Sequence, residues 1–245
     1  MSEAGTAIRF TLVVPVFDER DNVGPLLDEV RDVLAPLAPF EVILVDDKSR
    51  DDSLDRILAW RRDQAAGWLR VLQMARNGGQ SNAVLAGALQ ARGRFVVTMD
   101  GDLQNDPRDL IRMLEILERG AADGVAGIRR NRRDTWVRRV SSRIGNGVRN
   151  LVTGDRVADS GCGIKGYRRE FFLAVPRFNG MHRFMATLVR YCGGKVVEIE
   201  VNHRPRVAGQ AKYGIGNRAL RGLRDCFAVR WMRARVIVPD AVEQG

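Results

Sequence analysis

The sequence predicts an α/β domain built on a mainly parallel sheet flanked by helices, with a basic amphipathic helix at its C-terminal end. Three observations carry this reading. Short apolar runs alternate with segments of helical periodicity through the first half of the chain. Asp18, Glu19, Asp46, Asp47, Asp100 and Asp102 fall at the ends of those runs, where ligands bind in open parallel sheets. At 245 residues, 45% hydrophobic and 29% charged, the chain suits one large soluble domain with a sizeable core.

The elements follow in order. Ile8–Phe17 reads as a buried strand. Val23–Leu34 carries Val23, Leu26, Leu27, Val30 and Leu34 at helical spacing. Glu41–Val45 is a second buried strand running into Asp46-Asp47. Ser53–Ala66 is helical, Leu69–Met74 a strand and Ser81–Ala91 helical again. Arg94–Met99 is a strand ending at Asp100-Gly101-Asp102. Asp106 then caps a helix with Pro107 in its first turn and Leu110, Leu114 and Leu117 as its stripe. Asp123–Ile128 is a further strand. Beyond it the pattern loosens: an arginine-rich stretch over 129–149, a glycine-rich segment at Val157–Tyr167, a strand at Lys195–His203 and an amphipathic helix at Asn217–Arg235. The expected division is a domain over 1–215 and a basic tail over 216–245.

Composition excludes several classes. No stretch approaches 18 uninterrupted apolar residues, so no simple membrane-spanning helix is expected, and the N-terminus lacks a secretory pattern. Cys162, Cys192 and Cys226 lie too far apart for CxxC motifs, which fits unpaired thiols in the cytoplasm. The net charge of +10 is split: residues 1–128 hold 15 Lys+Arg against 21 Asp+Glu, and residues 129–245 hold 25 against 9. The second half therefore faces something anionic, whether phosphates, a membrane or nucleic acid. A nucleic-acid-binding module is disfavoured, because aromatic residues are only 7% and no recognition motif is present.

Asp100-Gly101-Asp102 is the strongest chemical cue. Two carboxylates two residues apart, after a buried strand, can meet one hard cation such as Mg²⁺ or Mn²⁺ together with substrate phosphates. The same tripeptide could instead form a simple polar turn, but its place at a strand end beside Asp46-Asp47 favours a site.

Seven segments in series resemble the family 2 glycosyltransferases of GT-A (Rossmann-like) fold, and within them the polyprenyl-phosphate sugar synthases of the dolichyl-phosphate mannose synthase group. They are Val14-Pro15-Val16-Phe17-Asp18-Glu19-Arg20-Asp21-Asn22, Val45-Asp46-Asp47-Lys48-Ser49-Arg50-Asp51-Asp52-Ser53, Arg76-Asn77-Gly78-Gly79-Gln80-Ser81-Asn82-Ala83, Met99-Asp100-Gly101-Asp102-Leu103-Gln104-Asn105-Asp106-Pro107, Asp159-Ser160-Gly161-Cys162-Gly163-Ile164-Lys165, His182-Arg183-Phe184, and Arg206-Val207-Ala208-Gly209-Gln210-Ala211-Lys212-Tyr213. The likeness spans about Phe10 to Tyr213. Its chief departure is Lys48, where Gly is usual.

The resemblance implies an inverting, metal-dependent transfer of a sugar from a nucleotide-diphosphate sugar (UDP favoured over GDP) to an undecaprenyl- or dolichyl-type polyprenyl phosphate. Pro15, Phe17, Glu19, Asp46 and Asn77 would line the nucleotide pocket. Asp100, Asp102 and Gln104 would hold Mg²⁺ or Mn²⁺ on the diphosphate. Arg129 and Arg139 would meet donor or acceptor phosphates beside Ser142, and Arg206 and Lys212 would act at the transferred sugar and acceptor phosphate. A phosphate acceptor is already ionised and needs no strong base. Asp159 would serve as base only for a hydroxyl acceptor on a glycan or lipid, the alternative within this enzyme class, and a structural role in its turn is equally open.

Leu220, Leu223, Phe227 and Trp231 form one helical stripe among Arg218, Arg221, Arg224, Arg230, Arg233 and Arg235. This pattern fits a helix lying in a lipid headgroup layer, and equally one packed on its own domain. The expected location is peripheral, on the cytoplasmic face of an anionic membrane, alone or with a separate membrane-protein partner.

Overall fold

A computed structural model describes residues 7–129, 136–205 and 216–237; for 136–143 and 216–221 it describes the backbone only. The sheet holds β1 (Phe10–Val16), β2 (Phe40–Asp46), β3 (Leu69–Gln73), β4 (Phe95–Thr98), β5 (Gly124–Arg129), β6 (Lys165–Arg168) and β7 (Val196–Val201). The helices are α1 (Val23–Leu34), α2 (Ser53–Asp63), α3 (Gln80–Gln90), α4 (Asp109–Glu118), α5 (Trp136–Thr153), α6 (Arg169–Ala174), α7 (Met185–Tyr191) and α8 (Gly216–Arg233).

The strands lie in the order β3-β2-β1-β4-β6-β5-β7. All neighbours are parallel except around β6, which runs antiparallel to both β4 and β5. The alternation read from the sequence is therefore seen directly in β1 to β5. Strand β6 and helices α5, α6 and α7 were not apparent in it. Helix α4 begins regularly at Asp109, after a turn in which the Asp106 carboxylate accepts the Arg108 N–H at 3.0 Å.

Both faces of the sheet are covered, which is why its strands are apolar throughout rather than alternating. Leu12, Val14, Val42, Leu44 and Val97 pack with α1 and α4 on one side. Val13, Ile43, Val45, Val96 and Tyr167 pack with α3, α6 and α7 on the other, where Cys226 and Val229 of α8 join the same cluster. Helix α3 approaches very closely: a Cβ on Gly87 would stand 2.4 Å from Val13 Cγ1. No helix among the described residues is long and apolar enough to cross a membrane.

Register sets the functional edge. Val16 pairs with Asp46, Asp46 with Gln73, and Val13 with Thr98. Strands β1, β2 and β3 thus stop together and β4 ends three residues earlier, so that the chain leaves β1, β2 and β4 on the same side of the sheet, at its rim. At that rim Lys48 has φ +63°, the left-handed region where a side chain other than glycine's is strained. This is the physical reason glycine is usual there.

Because the Lys48 side chain is exposed, Lys48→Gly removes strain without opening the core. We expect urea denaturation to show the variant more stable by about 1 kcal/mol, less the extra entropy of an unfolded glycine. A less stable variant would show that the lysine side chain makes a contact worth more than the strain.

Candidate active site

The rim is built largely from carboxylates satisfied by backbone. Asp46, fully buried, accepts the Ser49 N–H at 3.1 Å and Gln73 Nε2 at 3.2 Å. Asp47 accepts the N–H groups of Gly78 and Gly79 at 2.8 and 2.7 Å, which fixes the entry to α3. Asn77 Nδ2 donates to the Asp47 carbonyl at 3.0 Å. After β1, Phe17 lies under the Arg50 guanidinium at 5.3 Å. The Glu19 carboxylate accepts Asn22 Nδ2 at 2.6 Å while its own N–H donates to Ser53 Oγ. The proposed nucleotide residues Phe17, Glu19, Asp46 and Asn77 therefore share the β1–β2 end of the rim.

Asp100 and Asp102 follow β4. Gln80 Nε2 donates to Asp100 Oδ1 at 2.7 Å, and Asn105 Oδ1 accepts the Asp100 N–H at 3.2 Å. The Asp100 carboxylate lies directly against the Cα of Gly163, where any Cβ would fall 2.1 Å from Oδ2. Only glycine permits that approach, so the glycine-rich segment and the acidic turn are shaped to one another. Asp102 Oδ1 accepts the Gln104 N–H at 3.3 Å.

Gln104 is tied to the chain after β7. Its carbonyl accepts the Arg204 N–H at 2.9 Å, and its Nε2 donates to the Arg204 carbonyl at 3.3 Å. With Nε2 so engaged, Oε1 is the amide atom available to a cation. The Arg204 guanidinium is pinned by Glu29 of α1 at 2.9 and 2.6 Å and by Asp106 at 2.8 Å. Among the described residues no group of three or more His, Cys, Asp or Glu gathers for a metal. The candidate donor set is two carboxylates and an amide oxygen, hard ligands that suit Mg²⁺ or Mn²⁺ when substrate phosphate and water complete the shell.

Behind Asp100 lies a cavity of about 500 Å³, whose wall includes Pro15, Arg129, Lys165, His182 and Arg183. Arg129 gives Nε and Nη2 to Asp159 at 2.7 and 2.8 Å, and its backbone N–H reaches the same carboxylate. Asp159 also accepts the Gly161 N–H. These bonds tie Arg129 and the glycine-rich turn to one carboxylate. Arg183 pairs with Asp225 of α8 at 3.1 Å. Lys165 is buried, donates to the carbonyls of His182 (2.8 Å) and Ser160 (3.3 Å), and is pushed down to about 8 by burial. Burial likewise pushes the Cys162 thiol up to about 11, which keeps it protonated.

The cavity thus joins Pro15, Asp100 and Arg129 from the sequence-predicted set. Arg206 and Lys212 lie outside the described residues, as do the side chains of Arg139 and Ser142. Sequence reasoning gave no site role to Gln80, Ser81, Lys165 or His182. Their signal was present in the motifs that contain them, but which side chains turn inward was not.

The chain matches the model of glycosyl transferase family 2 over residues 11–175. It is 37% identical over 227 residues to a dodecaprenyl-phosphate galacturonate synthase of Rhizobium johnstonii, covering 91% of this chain and 67% of that protein. It is 35% identical over 216 residues to an undecaprenyl-phosphate 4-deoxy-4-formamido-L-arabinose transferase of Serratia proteamaculans, covering 88% and 66%. The chain thus spans about two thirds of the length of these curated relatives. Solved structures of like fold include a Pyrobaculum calidifontis mannosyltransferase in complex with GDP-Man and Mn²⁺, at TM-score 0.65 and 19% identity over 94% of this chain and 65% of that one. Another is the Mycobacterium tuberculosis glucosyl-3-phosphoglycerate synthase with Mg²⁺ and UDP, at TM-score 0.68 and 18% identity, covering 98% and 82%. On its sequence and its GT-A architecture, the chain belongs to glycosyltransferase family 2.

Proposed function

We propose that the protein moves a sugar from a nucleoside-diphosphate donor, UDP favoured, to a polyprenyl phosphate at the cytoplasmic face of a membrane, with inversion at the anomeric carbon. The observation that carries this reading is that Asp100, the first residue of the acidic turn, lines one cavity with Arg129, Lys165 and Arg183. Relatives named for dodecaprenyl- and undecaprenyl-phosphate products support the acceptor class.

In this reading the acceptor phosphate oxygen attacks the anomeric carbon as the bond to the nucleoside diphosphate breaks. Phosphate oxygens are ionised at neutral pH, so the reaction needs positioning and charge stabilisation more than a base. The engagement of Asp159 with Arg129 fits that requirement. A divalent ion held by Asp100, Asp102 and the amide oxygen of Gln104 would offset charge on the departing diphosphate. Arg129 would lie beside the phosphates with its guanidinium fixed by Asp159. Arg206 and Lys212 would serve the sugar and acceptor phosphate, and Arg139 and Ser142 of α5 the acceptor phosphate.

A lipid-borne acceptor requires a membrane-facing surface, and the exposed apolar side chains supply a candidate. Apart from Leu58 and Leu89, the large hydrophobics exposed among the described residues are Ile144, Val148 and Leu151 of α5, Leu223, Phe227 and Trp231 of α8, and Ile237 just beyond. Leu151 is 84% exposed, Phe227 59% and Trp231 62%. Meanwhile Cys226 and Val229 bury the opposite face of α8. Both readings of this helix are thus compatible: one face packs on the domain and the other is open for lipid, with Arg224, Arg230, Arg233 and Arg235 interspersed.

Asp102→Ala and Asp100→Asn should each lower transfer to undecaprenyl phosphate by more than about 100-fold while the thermal melt stays cooperative. Wild-type turnover should stop in EDTA and return with Mg²⁺ or Mn²⁺; full turnover in chelator would remove the metal from the reaction. Arg206→Ala and Lys212→Ala should depress turnover more than nucleoside diphosphate affinity, and the reverse order would move both residues to the nucleotide site.

Vesicle flotation tests the surface. Wild-type protein should bind phosphatidylglycerol vesicles and be released by high salt, since each arginine near the surface contributes roughly 1 kcal/mol. Phe227→Glu with Trp231→Glu should weaken binding about 10-fold or more yet spare activity on a short, water-soluble polyprenyl phosphate. Equal loss on both acceptors would mean that this face serves the fold.

A further inference from the structure

His182 lines the cavity and is paired with the buried Ser81, a pairing that transfer chemistry of the kind above does not require. Ser81 Oγ and His182 Nδ1 are 2.6 Å apart. The same Oγ accepts the backbone N–H of Gly180 at 2.9 Å and that of His182 at 3.5 Å. A serine hydroxyl has two lone pairs and one hydrogen. With both lone pairs facing amide donors, its hydrogen goes to Nδ1, so Nδ1 is the acceptor.

The ring is neutral. Burial pushes its pKa down to about 3, and the neighbouring charges of Lys165 and Arg183 push the same way. The other charged groups on this wall are Arg129, held by Asp159, and Asp100, while Asp225 of α8 engages Arg183. A neutral imidazole that accepts at Nδ1 carries its hydrogen on Nε2. Lys165 further anchors the residue by donating to its carbonyl. His182 is thus held in one orientation, with burial disfavouring its charged form, on a wall that Asp100 also lines.

We propose that His182 is a specificity-determining residue that donates its Nε2 hydrogen to an oxygen of the transferred sugar, with Ser81 holding it in that tautomer. This rests on the donor reading above, because a sugar attached to a diphosphate at Asp100–Gln104 has this cavity directly behind it. The chemistry recognised is a hydrogen-bond-accepting oxygen: a hydroxyl, ring oxygen or carboxylate of the sugar, as opposed to a methyl or an amine.

Two measurements test it. In ¹⁵N-labelled wild-type protein, imidazole nitrogen shifts report the tautomer directly. The chain has only two histidines, so the His182 signals are those lost in His182→Gln. We expect a protonated Nε2, an unprotonated Nδ1 and no titration from pH 5 to pH 8. A proton on Nδ1, or a titration within that range, overturns the proposal. This arm needs no acceptor and stands whether or not polyprenyl phosphate is the acceptor.

The second arm uses a panel of nucleoside-diphosphate sugars that includes monodeoxy analogues. His182→Leu should lower kcat/KM for the preferred donor about 10-fold with unchanged affinity for the free nucleoside diphosphate, and His182→Gln, which keeps an N–H donor, should recover most of it. The deoxy analogue lacking the contacted oxygen should be a poor substrate for wild type and no poorer for His182→Leu. An equal penalty for every analogue, or loss of nucleoside diphosphate affinity alongside turnover, overturns the assignment. Inactivity of wild type on polyprenyl phosphate, with transfer to another acceptor, would instead overturn the acceptor reading and leave this one standing.

Discussion

Everything at the rim depends on the parallel register of β1 with β2 and β4. Parallel pairing aligns strand ends only if each strand starts level with its neighbour, and here Phe10 pairs with both Phe40 and Phe95. The sheet then delivers Asp18, Asp46-Asp47 and Asp100 to one edge. Burial on both faces locks this arrangement, since a one-residue slip in a strand would exchange the side chains of the two cores. Thus the hydrophobic pattern, rather than the polar residues themselves, decides where the carboxylates meet.

Once gathered, those carboxylates have to be kept from repelling one another and from disrupting a largely buried site. The structure handles this mainly with backbone donors. Ser49, Gly78, Gly79 and Gly161 supply N–H groups to Asp46, Asp47 and Asp159. Backbone donors carry no rotamer freedom, so the loops that provide them are ordered by the same bonds that stabilise the charge. Arg129 and Asp159 extend the scheme with an ion pair whose partners are 16% and 7% exposed. Removing one partner of such a pair leaves a desolvated charge on the other.

How far the sequence disclosed this can be judged from particular residues. Strands such as β1 and β2 were legible because fully apolar runs flanked by turn residues have few other readings. The seven motifs likewise located Asp100, Asp102 and Gln104. Strand β6 was hidden because it is four residues long and contains Gly166, so it carries neither length nor alternation. Its antiparallel passage between β4 and β5 brings Lys165 to the carbonyl of His182, 17 positions away, a meeting that no local pattern encodes. The reading of Ser81 as a helix-start residue was correct as far as it went; its second task is visible only where Gly180 and His182 fold over it. Lys48 was flagged as a departure from the family, and its left-handed backbone explains why, although the strain itself cannot be seen without φ.

The tether between Gln104 and Arg204 has a mechanical meaning. Arg204 stands two residues before Arg206, at the root of the stretch that carries Lys212, and it is clasped from α1 and from the turn before α4 at once. Its main chain grips Gln104 through both the backbone and the amide of that residue. Any displacement of the chain at this root therefore drags the end of the acidic turn with it, and any tightening of the turn pulls on the root. The Glu29–Arg204–Asp106 clasp is thus a fixed point shared by the acidic turn and the chain leaving β7.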